Sequence, residues 1–124
     1  MIGYTSLGTA DLTRSAAFYD ALLSELSARQ VMKRDDFIVW ATEAGGPAFS
    51  IHIPENGKPY SVGNGVMVAL TAGDTDQVDK LHARALELGA SDEGKPGYRE
   101  DGFYAGYFRD PDGNKLNVFH LATA

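Results

Sequence analysis

The feature that most constrains this chain is a pattern that runs once and then starts again. Tyr4 to Gly8 lies in an apolar, β-prone run, followed by a helical stripe and three more short strand-like runs. The same order begins again around Met67. Strand, helix and three strands, written twice, mark a duplicated α+β unit. Two copies are too few for a solenoid. A period-two pattern cannot be exchanged for a period-3.6 one without moving every side chain, so each half is tightly specified.

In the first half, residues 2–9 read as a strand, and Asp11 or Thr13 can cap a helix. Leu12, Ala16, Tyr19, Leu23 and Leu26 then fall on one helical face. Strands are expected near 29–33, 37–42 and 48–53. Residues 54–65, with Pro54 and Pro59, read as a connector. In the second half Val66–Thr71 is an apolar strand, and Asp74 or Thr75 caps a helix with the stripe Val78, Leu81, Ala85 and Leu88. Gly89 is a natural stop. Phe103–Phe119 reads as a β-hairpin turned by Pro111, Asp112 and Gly113. That loop sets Asp110 opposite Asn114, and so Tyr107 opposite Asn117; a slip by one would substitute Gly106 or Phe108.

The expected architecture is one α+β domain over 1–124, with module 1 at about 1–57 and module 2 at about 64–124. Two βαβββ modules would form a curved mixed sheet with an internal cleft and helices outside. Alternation assigns the faces. Val66, Val68 and Leu70 would lie under a helix, as would Phe49, Ile51 and Ile53. Tyr4, Ser6 and Gly8 share a face opposite to Thr5 and Leu7. Ser50, His52, Met67, Asn117 and Phe119 would face the cleft.

Composition narrows the function classes. A chain of 124 residues can bury a core as one domain. The net charge is -6 and basic residues are scattered, which argues against nucleic acid as a partner. No run approaches a membrane span of about 18 apolar residues, and no signal peptide opens the chain. Cytoplasmic residence is the expectation. There is no cysteine, hence no thiolate ligand or nucleophile.

Two segments carry a family likeness: Ala-Asp-Leu-Thr-Arg-Ser-Ala-Ala-Phe-Tyr after the first strand, and Asp-Pro-Asp-Gly-Asn-Lys-Leu-Asn before the last. With the repeat, they resemble the vicinal oxygen chelate superfamily of glyoxalases, bleomycin resistance proteins and dioxygenases. The resemblance implies a cleft and a homodimer. In catalytic members it implies a divalent metal held by His and Glu from the first and last strands of each half. The matching positions here are Tyr4, Ser50, Met67 and Asn117, and none is His, Asp or Glu. A divalent cation needs imidazole or carboxylate donors at about 2 Å. No metal or other cofactor is therefore expected.

The candidate ligand-binding residues are Tyr4, Ser50, His52, Met67, Tyr107, Asn117 and Phe119. His52 and Tyr4 are the candidates for acid–base work, because imidazole titrates near neutrality. His82 reads as a helix-surface residue, and His120 as a residue packed under a helix or at the sheet end. Trp40 is a ligand-stacking platform, or a core or dimer-interface residue. Arg99 reads as a loop residue able to grip an anion. Asp110 and Asp112 suit the turn, as does Gly63-Asn64-Gly65. Three functions follow: binding of a small molecule without a metal; a lyase, isomerase or dioxygenase that uses a shifted metal or the His52/Tyr4 pair; or a degenerate dimeric domain whose cleft is filled by Tyr4, Met67 and Phe119 and that binds a partner.

Overall fold

The computed structural model describes residues 1–122, so the last two positions of the expected second module lie outside it. The chain divides into two compact units between Gly63 and Asn64. Each is a βαβββ module with a four-stranded mixed sheet, and the fold class is α+β.

In the first unit, β1 (Tyr4–Gly8) leads to α1 (Leu12–Ser24), then β2 (Ala28–Lys33), β3 (Phe37–Thr42) and β4 (Ala48–His52). The sheet order is β1-β4-β3-β2, with β1 parallel to β4 and the other pairs antiparallel. Asp11 caps α1 by accepting from the Arg14 N–H at 3.0 Å. The inward face of α1 runs through Ser15, Phe18, Tyr19, Leu22 and Leu23. Only Tyr19 and Leu23 of the expected stripe lie on it. Leu12 occupies the first turn and Leu26 lies past the helix end, and both are half-buried.

Tyr19 packs against Trp40 and Phe49, with ring centroids 5.9 and 4.6 Å away. Trp40 is thus a core residue, 1% exposed, and its indole N–H donates to Asp20 Oδ1 at 2.9 Å. Leu7, Ile38 and Ile51 complete this helix-covered face. Ile53 does not join them; it follows the end of β4 and is exposed.

In the second unit, β5 (Val68–Thr71), α2 (Thr75–Glu87), β6 (Ser91–Glu100), β7 (Phe103–Arg109) and β8 (Lys115–Leu121) repeat the order. The sheet order is β5-β8-β7-β6, with β5 parallel to β8. Asp74 caps α2 through the Gln77 N–H, and Gly89 leaves it at φ +108°. β5 begins two residues later than expected, so Val66 is exposed and not under the helix.

His82 departs furthest from expectation. It is 4% exposed, with Nε2 3.1 Å from both Asp92 Oδ1 and the Tyr107 carbonyl. Gly106 makes room for it, because a Cβ there would come within 3.1 Å of the imidazole. Arg99 sits within β6, not in a loop.

The final hairpin has the expected register. Gly113, at φ +98°, donates to the Asp110 carbonyl at 2.8 Å, and the Asp110 side chain accepts from the Asp112 and Asn114 N–H groups. Tyr107 therefore pairs with Asn117.

Candidate functional site

The face of the first sheet turned away from α1 holds a cavity of about 710 Å³. That volume lies in the range of small-molecule sites. Pairing across the sheet explains its lining. Ser50 on β4 lies between Ser6 on β1 and Val39 on β3; His52 lies between Gly8 and Phe37. Side chains that alternate away from the core are thereby delivered to one surface. Tyr4, Ser50 and His52, expected together from sequence, all line this cavity.

Ser6 also lines it and was not singled out by sequence reasoning. Its Oγ lies 2.5 Å from His52 Nδ1, on a diagonal between neighbouring parallel strands. The signal was its period-two match to Tyr4, but its partner could be known only from the β1–β4 register. Ser50 is 4% exposed, and its hydroxyl donates to the Thr5 carbonyl at 2.8 Å. Its oxygen lone pairs remain for a ligand donor. Asp36 and Glu55 add carboxylates to a wall that also includes Met32 and Phe37.

The other expected residues belong to the second unit. Asn117, Tyr107 and Phe119 alternate onto the sheet face opposite α2, and Ala69 of β5 pairs with Asn117. Asn117 is 2% exposed, and its Oδ1 is buried without a hydrogen-bond partner. Tyr107 carries two cations over its ring, Arg99 at 5.3 Å and Lys115 at 5.5 Å. The Arg99 guanidinium also donates to the Lys95 and Gly97 carbonyls. Phe119 packs on Phe103, with centroids 5.6 Å apart. Met67 precedes β5 and is 43% exposed. His120 lies at the sheet end, with Nδ1 3.2 Å from the Ala72 carbonyl.

The Glyoxalase/Bleomycin resistance protein/Dioxygenase superfamily profile matches residues 1–118. The chain belongs to this superfamily. Its structure is similar to a glyoxalase/bleomycin resistance protein of Albidiferax ferrireducens T118, at 35% identity and TM-score 0.90, covering 98% of this chain and 99% of that one. A lactoylglutathione lyase of Agrobacterium tumefaciens is 25% identical with TM-score 0.70, over 96% and 92% of the two chains. A family enzyme of Burkholderia phytofirmans PsJN shares the fold at 17% identity and TM-score 0.79, over 97% and 98%. No curated protein matches the chain.

The superfamily's metal can be tested against these side chains. Tyr4 offers a phenol, Ser50 a hydroxyl committed to a backbone carbonyl, Met67 a thioether and Asn117 an amide. These neutral groups do not compose a donor set for a hard or borderline divalent cation. Among the described residues, no three His, Cys, Asp or Glu side chains converge as a metal site would require.

Proposed function

We propose that this superfamily member binds a small organic molecule on the open face of its first sheet, without the metal typical of catalytic relatives. The observation that carries this reading is the cavity of about 710 Å³ bordered by Tyr4, Ser6, Ser50 and His52. It combines an aromatic and aliphatic wall with a few polar groups that can orient a ligand. Within the second unit, Tyr107, Asn117 and Phe119 are proposed as ligand contacts on that unit's own open sheet face, with Met67 as an adaptable apolar contact. Homodimeric assembly, supported by the family likeness, and cytoplasmic residence are proposed with it. Among the described residues, no helix is long and apolar enough to cross a membrane.

A second reading is a lyase, isomerase or dioxygenase of the superfamily. The contact between Ser6 and His52 favours it, because a held imidazole can exchange protons with a substrate. Likeness to a lactoylglutathione lyase supports the lyase form.

Metal analysis of the purified protein, with calorimetric titration of zinc, nickel, manganese and iron(II), separates the two. Absence of stoichiometric metal, with a thermal-shift response to organic ligands that His52→Ala removes, supports the binding reading. One equivalent of tightly held metal overturns its metal-free form.

A further inference from the structure

We infer that Ser6 is a positioning residue for His52: its hydroxyl donates to Nδ1, which places the proton of the neutral imidazole on Nε2 as a donor for a neutral carbonyl or amide oxygen in the cavity. The inference rests on the proposed binding site and names the ligand group it would take.

Three observations combine. Ser6 Oγ lies 2.5 Å from Nδ1, and among the described residues this imidazole nitrogen is its side-chain partner. Neutral imidazole has one donor nitrogen and one acceptor nitrogen, so occupation of Nδ1 by a hydroxyl donor leaves the N–H at Nε2. Nε2 itself makes no hydrogen bond to protein among the described residues, while His52 lines the cavity. Ser50 does not compete for Nδ1, because its hydroxyl proton goes to the Thr5 carbonyl.

The surroundings select the ligand group. Asp36 and Glu55 are the charged side chains lining the cavity, and both are acidic. An anionic oxygen would be repelled there, whereas a neutral carbonyl oxygen can accept from Nε2–H at no such cost. Tyr4, Phe37 and Met32 offer apolar contact for the body that carries it.

The test begins with the unliganded full chain. Long-range ¹H–¹⁵N NMR of the imidazoles at pH 8 should show His52 predominantly as the Nε2–H tautomer. Ser6→Ala should lose that bias and Ser6→Thr should retain it. A mixed tautomer in the wild type, or an unchanged tautomer in Ser6→Ala, overturns the positioning role whatever the protein binds. Millimolar cyclohexanone, cyclohexanecarboxylate and cyclohexylammonium then share one apolar body and differ in the head group. Cyclohexanone should shift the His52 Nε2 resonance in the wild type, with the shift lost in Ser6→Ala. A shift produced by the carboxylate or the ammonium, and not by the ketone, overturns the ligand class. The tautomer measurement is independent of any ligand, so failure of the binding site and failure of the Ser6 role read out separately.

Discussion

The ring of Tyr60 lies directly over Gly8: a Cβ added to Gly8 would stand 2.7 Å from Tyr60 Cδ1 and 2.9 Å from Cε1. This contact ties the connector between the units to the end of β1, beside His52 in the β1–β4 register. Gly8→Ala should therefore destabilise the protein by about 1–3 kcal/mol through overpacking. In Gly8→Ala/Tyr60→Ala the clash is absent, and most of that loss should be recovered. Urea unfolding of the two single variants and the double variant measures the coupling; strict additivity would show that Tyr60 does not press on this position.

Asn117 presents the opposite case, a polar group with too few contacts. Its buried Oδ1 lacks a donor, and an unsatisfied buried group costs about 1–3 kcal/mol. Asn117→Leu, of similar shape, should raise stability by about 1 kcal/mol in chemical denaturation. If Asn117 orients a ligand as proposed, the same change should weaken binding found in the thermal-shift screen. A marked loss of stability would mean that the amide is satisfied in solution.

His82 and Asp92 link α2 to β6, and His82→Leu removes the donor to both Asp92 and the Tyr107 carbonyl. A loss of about 1–3 kcal/mol is expected. Asp92 is held below the usual carboxylate range, chiefly by the Gly94 backbone N–H and then by His82, against a desolvation that acts the other way. A lowered folded value favours the ionised form, so this contribution is present above the unfolded value of about 3.9 and disappears as pH falls through the folded one. Asp92→Asn should flatten the acid arm of the stability–pH curve. His82→Leu should only shrink it, because Gly94 remains. Denaturant midpoints from about pH 6 to pH 2 check both.

Tyr104 donates its hydroxyl proton to Asp79 Oδ1 at 2.5 Å. This bond, followed by desolvation and the nearby negative charge, raises the phenol above its ordinary value. The raised group favours the protonated native state; its contribution is present below about pH 10 and is lost as pH rises through the folded value. Ultraviolet titration of tyrosinate should place Tyr104 among the late-titrating groups, and Asp79→Asn should bring it towards about 10. An unchanged late group would assign the effect to another tyrosine.

Local chemistry was the legible part of this molecule. Asp11 and Asp74 stand among the candidate caps of their helices, Gly89 ends one, and Asp110 to Asn114 specify a turn whose expected register sets Tyr107 against Asn117, with a slip by one left open. The α1 stripe was displaced because Ser15 is small enough to pack at a helix–sheet contact, so hydrophobicity alone misplaced the axis of that face. Periodicity does not reveal the burial of His82, because the space it fills is provided by Gly106, remote in sequence. Glycine and charge around Arg99 suggest a loop, yet Tyr98 pairs with Tyr104 and draws the segment into the sheet. At the candidate site, alternation grouped Tyr4 with Ser6 and Ser50 with His52. It could not show the Ser6–His52 contact, which depends on the stagger between two parallel strands.

In both units the first strand lies parallel to the last, and every other pairing joins strands adjacent in sequence. During synthesis, β1 leaves the ribosome before α1 and the β2–β3–β4 meander, but its pairing edge appears only when β4 emerges. Its unpaired backbone must stay solvated until then, and closing that long loop comes at the entropic cost of a non-local contact. Ser6 and His52 stand on the two strands that meet in this last step. The site can therefore exist only in a completed first unit, while the second unit faces the same wait independently, until β8 is made.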